Sequence, residues 1–386
     1  MRVLWITERY PPLGGGMAVS SARQVEGLRR LGFSVDVVAF TESDPRVVVR
    51  TVPRDGGTDW HLSRAPRRGL TAQRAWRIIS QDRAGQPFGF AVGFGAGMPG
   101  YLAVTFAAWL RSPSLVLVRG NDFDQDWFEP HRSLWVREAL SRASVIGAVS
   151  RDMVRRIHAL YPDREVCMVP NGVDVSALEL LPRDRRLQDE IRARLTTRGR
   201  KIIGLFGELK HKKGVAFWLG ALRDTGLLGR VGLLVVGRWL DDETSQIIDD
   251  PVLAPESVHI PFSNRDRLPG FYTACDFVAL PSLFEGMPNV LLEAMALGVV
   301  PIVSDAGAMG EVVRDGETGF VFPSEDRYAA AEATARALSM NDSRRKAMGE
   351  RARDFVISNF SVEREAEVLK LMLLTQVKPE EDLRRT

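Results

Sequence analysis

The sequence predicts an α/β protein with two doubly wound domains. Short apolar runs alternate with loops and helical patterns, in two separate series that start at Val3 and Ile202. Such runs are typical of parallel strands buried on both faces, and their alternation with helices is typical of doubly wound sheets. The length of 386 residues also exceeds that of one usual domain.

The composition is that of an ordinary soluble protein, with 45% hydrophobic and 26% charged residues. The net charge of +3 argues neither for nor against contact with nucleic acid or membranes. Cys167 and Cys275 have no metal-ligand spacing and are interpreted as reduced, structural residues. A strand directly after Met1 is too short for a signal peptide, so we expect a cytoplasmic protein.

The first series opens with a strand over residues 3–7, a loop with Gly14, Gly15 and Gly16, and a helix over residues 17–31. A glycine loop before a helix can cradle phosphate, although this spacing is not the G-x-G-x-x-G of dinucleotide-binding proteins. The alternative is a tight turn that holds no ligand.

Residues 44–83 are expected to be the least regular part of the chain. They contain nine arginines: Arg46, Arg50, Arg54, Arg64, Arg67, Arg68, Arg74, Arg77 and Arg83. A helix over residues 70–79 would carry an apolar face beside them. Such a basic and apolar combination either rests on the inner, anionic face of a membrane or is an ordinary solvated face, and both interpretations stay open.

The apolar run over residues 88–110 is long enough to suggest a membrane span, but six glycine and proline residues interrupt it. We therefore predict a strand, a glycine loop and a helix, and no membrane-spanning helix. The next strand, over residues 115–118, leads into Arg119. This side chain either pairs with a phosphate or an acidic acceptor group, or is a structural partner of Asp122.

Further strands are predicted over residues 143–150 and 166–169, and a turn follows over residues 170–174. We place the domain boundary in this turn, near Asn171. The predicted organisation is an N-terminal domain (1–170), a C-terminal domain (171–360), and a C-terminal helix and tail (361–386). Residues 183–200 are charged and are predicted to form a surface helix and linker, and residues 378–386 a disordered tail.

The second series opens with a strand over residues 202–206 and a loop that contains Lys210, Lys212 and Lys213. A helix is predicted to begin at Val215. The lysines either hold phosphate or form a solvated turn.

A strand over residues 277–280 precedes a loop with Glu285, and Pro288 suits the first turn of the next helix. Glu293 would lie in its second turn, and Gly298 would end it. The helix N-terminus offers free N–H groups to an anion, and Gly286 lets the backbone approach a ligand. The two carboxylates would then accept hydrogen bonds from sugar hydroxyls, or else they only satisfy the helix dipole.

The segment from Glu285 to Glu293 resembles the Glu-x7-Glu motif of the retaining, nucleotide-sugar-dependent glycosyltransferases of family 4. Its flanks over residues 268–276, 301–311 and 316–320 are similar to that family in order and spacing. The resemblance implies the GT-B fold, with two Rossmann-like domains that face a central cleft. Residues 1–170 would then be the acceptor-side domain and residues 171–360 the nucleotide-sugar-binding domain. It also implies transfer of a sugar, with retention, from a nucleotide diphosphate sugar such as a UDP-sugar or GDP-sugar.

The resemblance further implies a hydroxyl acceptor on a glycan, a lipid-linked or a small molecule, and a role in polysaccharide or glycoconjugate biosynthesis. No metal, cofactor or nucleic acid is expected. The implied catalytic residues are Glu285, which positions the donor sugar, Lys213, which holds the diphosphate, and Arg119. The implied donor-binding residues are Gly14, Gly15, Gly16, Gly207, Lys210, Lys212, Phe262, Gly286, Met287, Pro288, Asn289, Val290 and Glu293, the last on the ribose.

Arg119 and Glu208 depart from the family's pattern, and Phe262 has two possible roles in it. Arg119 stands where much of the family has a histidine. Glu208 stands where the family has a phosphate-binding arginine, so we predict that it turns towards Lys210 or Lys212 and that one of these lysines contacts the phosphates. Phe262 follows a strand where the family packs the base, and it either stacks on the base or belongs to the core. The alternatives are an inactive member that binds a partner or lipid, a nucleotide-sugar epimerase, or a dinucleotide-dependent oxidoreductase.

Overall fold

The computed structural model describes residues 1–42, 48–65, 67–82, 86–196, 199–238 and 257–375. The chain divides into two compact units, of which the second is Gly172–Ser361. The first comprises Met1–Asn171 and the helix that begins at Val362. The predicted tail, residues 378–386, lies outside the described residues.

The first unit contains an eight-stranded sheet in the order β3-β4-β2-β1-β5-β6-β7-β8. Its strands are β1 (Arg2–Thr7), β2 (Ser34–Glu42), β3 (Val49–Arg54), β4 (Gly57–Ser63), β5 (Phe90–Phe94), β6 (Ser114–Val118), β7 (Val145–Ala148) and β8 (Glu165–Met168). Only β3 is antiparallel to its neighbour. Its helices are α1 (Gly16–Arg30), α2 (Arg68–Gln81), α3 (Met98–Leu110), α4 (Asn121–Asp124), α5 (Pro130–Arg142), α6 (Arg151–Leu160) and α14 (Val362–Thr375).

Strand β1 shows why the sheet is covered on both faces. Its side chains alternate between two cores: Val3 and Trp5 belong to one hydrophobic cluster, and Leu4 and Ile6 to another. All six residues of the strand are buried. An apolar run without polar alternation therefore needs helices on both sides, and the prediction of a doubly wound sheet is confirmed.

The expectation that residues 44–83 are irregular is wrong for most of that segment. Strands β3 and β4 form a hairpin that continues the sheet, and α2 follows them and confirms the helix predicted over residues 70–79. Four of the six residues of β3 are exposed, among them Arg50 and Arg54, because β3 is an edge strand. Arg46 and Arg83 lie outside the described residues.

The second unit contains a six-stranded parallel sheet in the order β11-β10-β9-β12-β13-β14. Its strands are β9 (Lys201–Phe206), β10 (Val231–Val236), β11 (Ser257–Ile260), β12 (Phe277–Leu280), β13 (Val300–Ser304) and β14 (Phe320–Phe322). Its described helices are α7 (Pro182–Leu195), α8 (Val215–Asp224), α9 (Leu268–Ala274), α10 (Asn289–Ala296), α11 (Met309–Val312), α12 (Arg327–Leu338) and α13 (Asp342–Asn359).

The last helix, α14, packs on the first unit rather than on the helix that precedes it. Glu365 is 2% exposed and accepts hydrogen bonds from Arg23 and Gln24 of α1. Gly27 lets the two helices approach closely, because a Cβ there would lie 2.9 Å from that of Ala366. The helical pattern predicted over residues 329–376 is thus three helices that serve two units.

Among the described residues, no helix is both long and apolar enough to cross a membrane. The run over residues 88–110 forms strand β5, a turn and helix α3, as its glycines predict.

Candidate active site

The strand order of the second unit locates a candidate ligand site. From β9 the chain proceeds outward to β10 and β11, and it then returns to β12 on the other side of β9. The loops that follow β9 and β12 therefore diverge at the carboxyl edge of the sheet. In open α/β sheets, this topological switch point is where ligands bind.

Lys213 and Glu285 meet at this switch point. The Lys213 ammonium donates a hydrogen bond to Glu285 Oε1, and Lys212 Nζ lies 3.8 Å from Glu285 Oε2. Glu285 is 9% exposed and lies in the loop before α10, as predicted. The sequence-predicted carboxylate and lysines thus come together although more than 70 positions separate them in the chain.

Two glycines allow the loops of the site to pack backbone against backbone. Gly214 has φ +63°, and a Cβ there would lie 2.0 Å from the Pro281 carbonyl oxygen. Gly307 has φ +60°, and a Cβ there would lie 1.8 Å from the Glu285 carbonyl oxygen. The loops after β9, β12 and β13 are therefore held against one another by close contacts that no side chain would permit.

The Glu285 carboxylate is charged in this setting. Burial would raise its pKa, but the charges of Lys213 and Lys212 and hydrogen bonds from Lys213 and the Gly286 N–H lower it below the ordinary value. The site thus holds one ionised acid beside two ammonium groups, which leaves positive charge available to an anion.

Glu293 lies in the second turn of α10 and is 5% exposed. Tyr272 Oη donates to its Oε2 at 2.9 Å, and Arg265 Nη2 donates to its Oε1 at 2.6 Å. Burial, together with the neighbouring charge of Glu293, raises the pKa of Tyr272 well above its usual value. The phenol therefore keeps its proton and donates a hydrogen bond to Glu293. Tyr272 also stacks on Phe206 at the end of β9, with ring centroids 4.2 Å apart.

Glu208 contacts two cations. Lys210 Nζ lies 2.8 Å from its Oε2, and Arg238 Nη2 lies 3.0 Å from its Oε1. The prediction that Glu208 turns towards a neighbouring lysine is therefore confirmed for Lys210. Its pKa is lowered, chiefly by the hydrogen bond from Lys210.

Other predicted donor-binding residues surround these groups. Gly207 follows β9 with φ +105°, and Gly286 and the buried Met287 lie between Glu285 and α10. Pro288 caps α10, so its prediction as a first-turn residue is wrong by one position: Asn289 and Val290 open the helix. Phe262 is 76% exposed beyond the end of β11, so its interpretation as a core residue is wrong.

The glycine loop predicted to cradle phosphate belongs to the first unit. Gly15 has φ +103° and immediately precedes α1, which begins at Gly16. A Cβ on Gly14 or Gly15 would meet nothing within 4 Å. The loop therefore presents open backbone at a helix N-terminus, which suits either of its predicted roles.

Arg119 makes contacts within the first unit that differ from those predicted. Its guanidinium donates to the carbonyl of Val169 at 3.2 Å and to the side chain of Asn171. Asp122 accepts a hydrogen bond from the main-chain N–H of Arg119, at 2.9 Å, so Asp122 is a structural partner of Arg119 through the backbone rather than through the guanidinium. Burial lowers the pKa of Arg119 to about 10. A structural role accounts for these contacts, and its catalytic role stays a prediction.

Sequence reasoning missed three residues: Arg238, Arg265 and Tyr272. The only sequence feature that could have indicated Arg238 is its position directly after an apolar strand, and no sequence feature indicates Arg265. Tyr272 lies in the segment before Glu285 that carries the family resemblance, so that segment could have indicated it.

Comparison with solved structures identifies the fold as that of the GT-B glycosyltransferases. The HepE protein of Anabaena, solved with UDP and glucose, matches with a TM-score of 0.77 at 17% identity, over 97% of this chain and 99% of that one. The catalytic domain of starch synthase IV from Arabidopsis thaliana, bound to ADP and acarbose, matches with a TM-score of 0.76 at 14% identity, over 97% and 99%.

The chain belongs to the glycosyltransferases of family 4. The model described as "Glycosyltransferase Family 4" matches residues 14–177, and that described as "Glycosyl transferases group 1" matches residues 188–355. Among curated relatives, alpha-maltose-1-phosphate synthase of Mycolicibacterium smegmatis is 28% identical over 388 residues, 94% of this chain and 96% of the relative. The family predicted from the Glu-x7-Glu segment is confirmed.

Proposed function

We propose that this glycosyltransferase moves a sugar from a nucleotide diphosphate sugar to a hydroxyl acceptor, with retention at the anomeric carbon. The observation that carries the proposal is the contact between Lys213 and Glu285 at the switch point of the second unit. A site for a sugar diphosphate needs cations for the phosphates and an acceptor of hydroxyl hydrogen bonds, and this pair supplies both.

The chemistry assigned to these groups is electrostatic. The bond between the anomeric carbon and the β-phosphate oxygen breaks while the acceptor oxygen bonds to the same face of that carbon. The leaving phosphate takes the acceptor's proton. Lys213 and the N-terminus of α10 stabilise the charge that develops on the diphosphate, and Glu285 positions the sugar. We therefore expect turnover to persist in the presence of a metal chelator.

The similar proteins support a nucleotide diphosphate as the donor's leaving group, since two of them were solved with UDP or ADP. Because their bases differ, the base is best found by experiment. A thermal-shift panel of UDP-, GDP-, ADP- and TDP-sugars should raise the melting temperature for one base, through mass action. If none of these donors shifts the melting temperature or is consumed, the proposal is contradicted.

Lys213→Ala tests the role of the ammonium. One charge-assisted contact to the leaving group is worth ~1.5–3 kcal/mol, so kcat should fall at least tenfold. Lys346→Ala is the matched control, because Lys346 is an exposed lysine of α13. Equal kinetics in the two variants would mean that the lysines after β9 form only a solvated turn.

We also propose that the first unit contacts an anionic membrane surface on the cytoplasmic side. Residues 60–118 contain seven arginines but a single acid, Asp82, which pairs with Arg2. Helix α2 carries Arg74 and Arg77 next to Trp76, and Trp109, which is 56% exposed, lies edge-on to Trp76 with ring centroids 4.7 Å apart. Exposed tryptophan flanked by cations is suited to the charged interface of a bilayer.

Vesicle sedimentation tests this contact. The protein should pellet with vesicles that contain phosphatidylglycerol and stay in solution with phosphatidylcholine alone. The combined variant Arg74→Gln, Arg77→Gln, Trp109→Ser should lose the difference, whereas Arg353→Gln, on α13 of the second unit, should keep it. Equal partitioning of the parent to both vesicles would overturn this part of the proposal.

A further inference from the structure

Charged side chains form a row along the carboxyl edge of three neighbouring strands of the second unit. Arg238 follows β10, Glu208 and Lys210 follow β9, and Glu285 follows β12. Arg238 and Lys210 both contact Glu208, and Lys213 contacts Glu285. The main-chain N–H of Lys213 donates to the carbonyl of Lys210 at 2.8 Å, which joins the two pairs in one turn.

The backbone fixes Arg238 beside Glu208. The ladder between β9 and β10 continues past both strands, because the Leu209 N–H donates to the Arg238 carbonyl at 2.9 Å. Gly237 makes this possible, since a Cβ there would lie 1.8 Å from the carbonyl oxygen of Gly207. The main chain of Arg238 is thus fixed at the edge of the sheet, although its side chain is 64% exposed.

The row has more positive than negative charge. Its cations are Arg238, Lys210, Lys212 and Lys213, and its carboxylates are Glu208 and Glu285. Four positive and two negative charges leave a net charge of +2, which complements two ionised phosphate groups. A guanidinium has five N–H donors, so Arg238 can hold an anion while it stays on Glu208.

We propose that Arg238, together with Lys210, binds the diphosphate of the donor, and that Glu208 is a positioning residue that holds these two cations side by side. This inference rests on the proposed function, because that function supplies the diphosphate. A planar guanidinium matches two phosphate oxygens at once, whereas Lys213 acts as a point charge further along the same row.

Calorimetry with a nucleoside diphosphate and its nucleoside, for the base that the thermal panel selects, tests the inference. Arg238→Gln should weaken binding of the nucleoside diphosphate about tenfold and leave the affinity for the nucleoside unchanged. Lys210→Gln should also weaken binding of the diphosphate. Arg223→Gln is the control, because Arg223 is an exposed arginine in the last turn of α8, paired with Asp224. A loss no greater than in Arg223→Gln, or an equal loss for the nucleoside, would overturn the inference.

Charge exchange tests the partnership with Glu208. Arg238→Glu alone should lose diphosphate affinity, and the double variant Glu208→Arg, Arg238→Glu should recover most of it, since one guanidinium and one carboxylate again face each other. Melting temperatures check that both variants fold, and absence of recovery in a folded double variant would count against the pair.

If the parent binds no nucleoside diphosphate and Lys213→Ala changes nothing, the proposed function itself fails. If the parent binds and only Arg238→Gln is silent, the inference alone fails.

Discussion

The Glu208 side chain determines where two neighbouring cations lie. Its carboxylate lies between Lys210 and Arg238, which come from the loops after two adjacent strands. Each of these exposed pairs contributes little to stability on its own, because exposed ion pairs are worth ~0–1 kcal/mol. Their effect is instead geometric, since two flexible cations are held at the edge of the sheet where phosphates are proposed to bind.

Glu208→Arg should be tolerated and should tighten donor binding. The substitution removes a negative charge from the row and adds a guanidinium that can bind the phosphates directly, which offsets the loss of the carboxylate that positions Lys210 and Arg238. Donor titration by calorimetry measures the change, and the activity assay shows whether turnover survives. Loss of activity with intact donor binding would mean that the glutamate has a role of its own, for example in holding the acceptor.

Glu293→Gln should weaken nucleotide-sugar binding and leave the fold intact. The amide can still accept the hydrogen bond from Tyr272, but it loses the charge that holds Arg265. Since Arg265 is 53% exposed, the loss should appear in the affinity for the donor rather than in the melting temperature. An unchanged donor dissociation constant would show that Glu293 serves only the packing of α10.

At the scale of elements, the site depends on loops that touch through their backbones. Gly307 of the loop after β13 lies against Glu285, and the Ala308 N–H donates to the Gly286 carbonyl at 2.8 Å. Residues 301–311 carry part of the family resemblance, but a strand–loop–helix pattern does not reveal which loops meet. The strand order does, because it makes β9 and β12 neighbours.

Gly307→Ala should therefore damage the site more than an equally strained substitution elsewhere. Gly226→Ala is the control, because Gly226 also has a positive φ, +72°, but a Cβ there would meet nothing within 4 Å. Both variants incur the cost of the left-handed backbone, of order 1 kcal/mol, and only Gly307→Ala also displaces the Glu285 backbone. Donor affinity and melting temperature should both fall further for Gly307→Ala, and equal effects would contradict the packing argument.

Asp122, in the turn that follows β6, should make the stability of the protein depend on pH. Burial raises the pKa of Asp122 to about 6, against hydrogen bonds from the N–H groups of Ala96 and Arg119. An aspartate in the unfolded chain has a pKa of about 3.9, so the side chain loses its proton at a lower pH in the unfolded protein than in the folded one. The contribution of Asp122 to the free energy of unfolding therefore falls as the pH rises from about 4 to 6.

The stability of the parent relative to Asp122→Asn should accordingly be greatest near pH 4 and decline towards pH 6. Urea unfolding followed by tryptophan fluorescence measures it, because six of the eight tryptophans belong to the first unit. A difference that does not change with pH would show that Asp122 is ionised in the fold throughout this range.

For the whole molecule, the apolar runs predicted both sheets because a strand buried on two faces leaves a continuous apolar signal. They did not reveal β3, whose exposed arginines hide the strand, nor the return of α14 to the first unit, since a helical pattern does not encode its partner. At the site, the Glu-x7-Glu spacing predicted Glu285 and Glu293. Arg238 could not be found this way, because its contact with Glu208 exists only once β9 and β10 are paired.

The most direct measurement is a crystal structure of the full chain with the nucleoside diphosphate that the thermal panel selects. We predict that the phosphates lie at the carboxyl edge of β9 and β12, with Lys213 Nζ and the guanidinium of Arg238 within hydrogen-bond distance, about 3 Å, of phosphate oxygens. Phosphates bound elsewhere, with Lys213 still on Glu285 and Arg238 still on Glu208 alone, would contradict it.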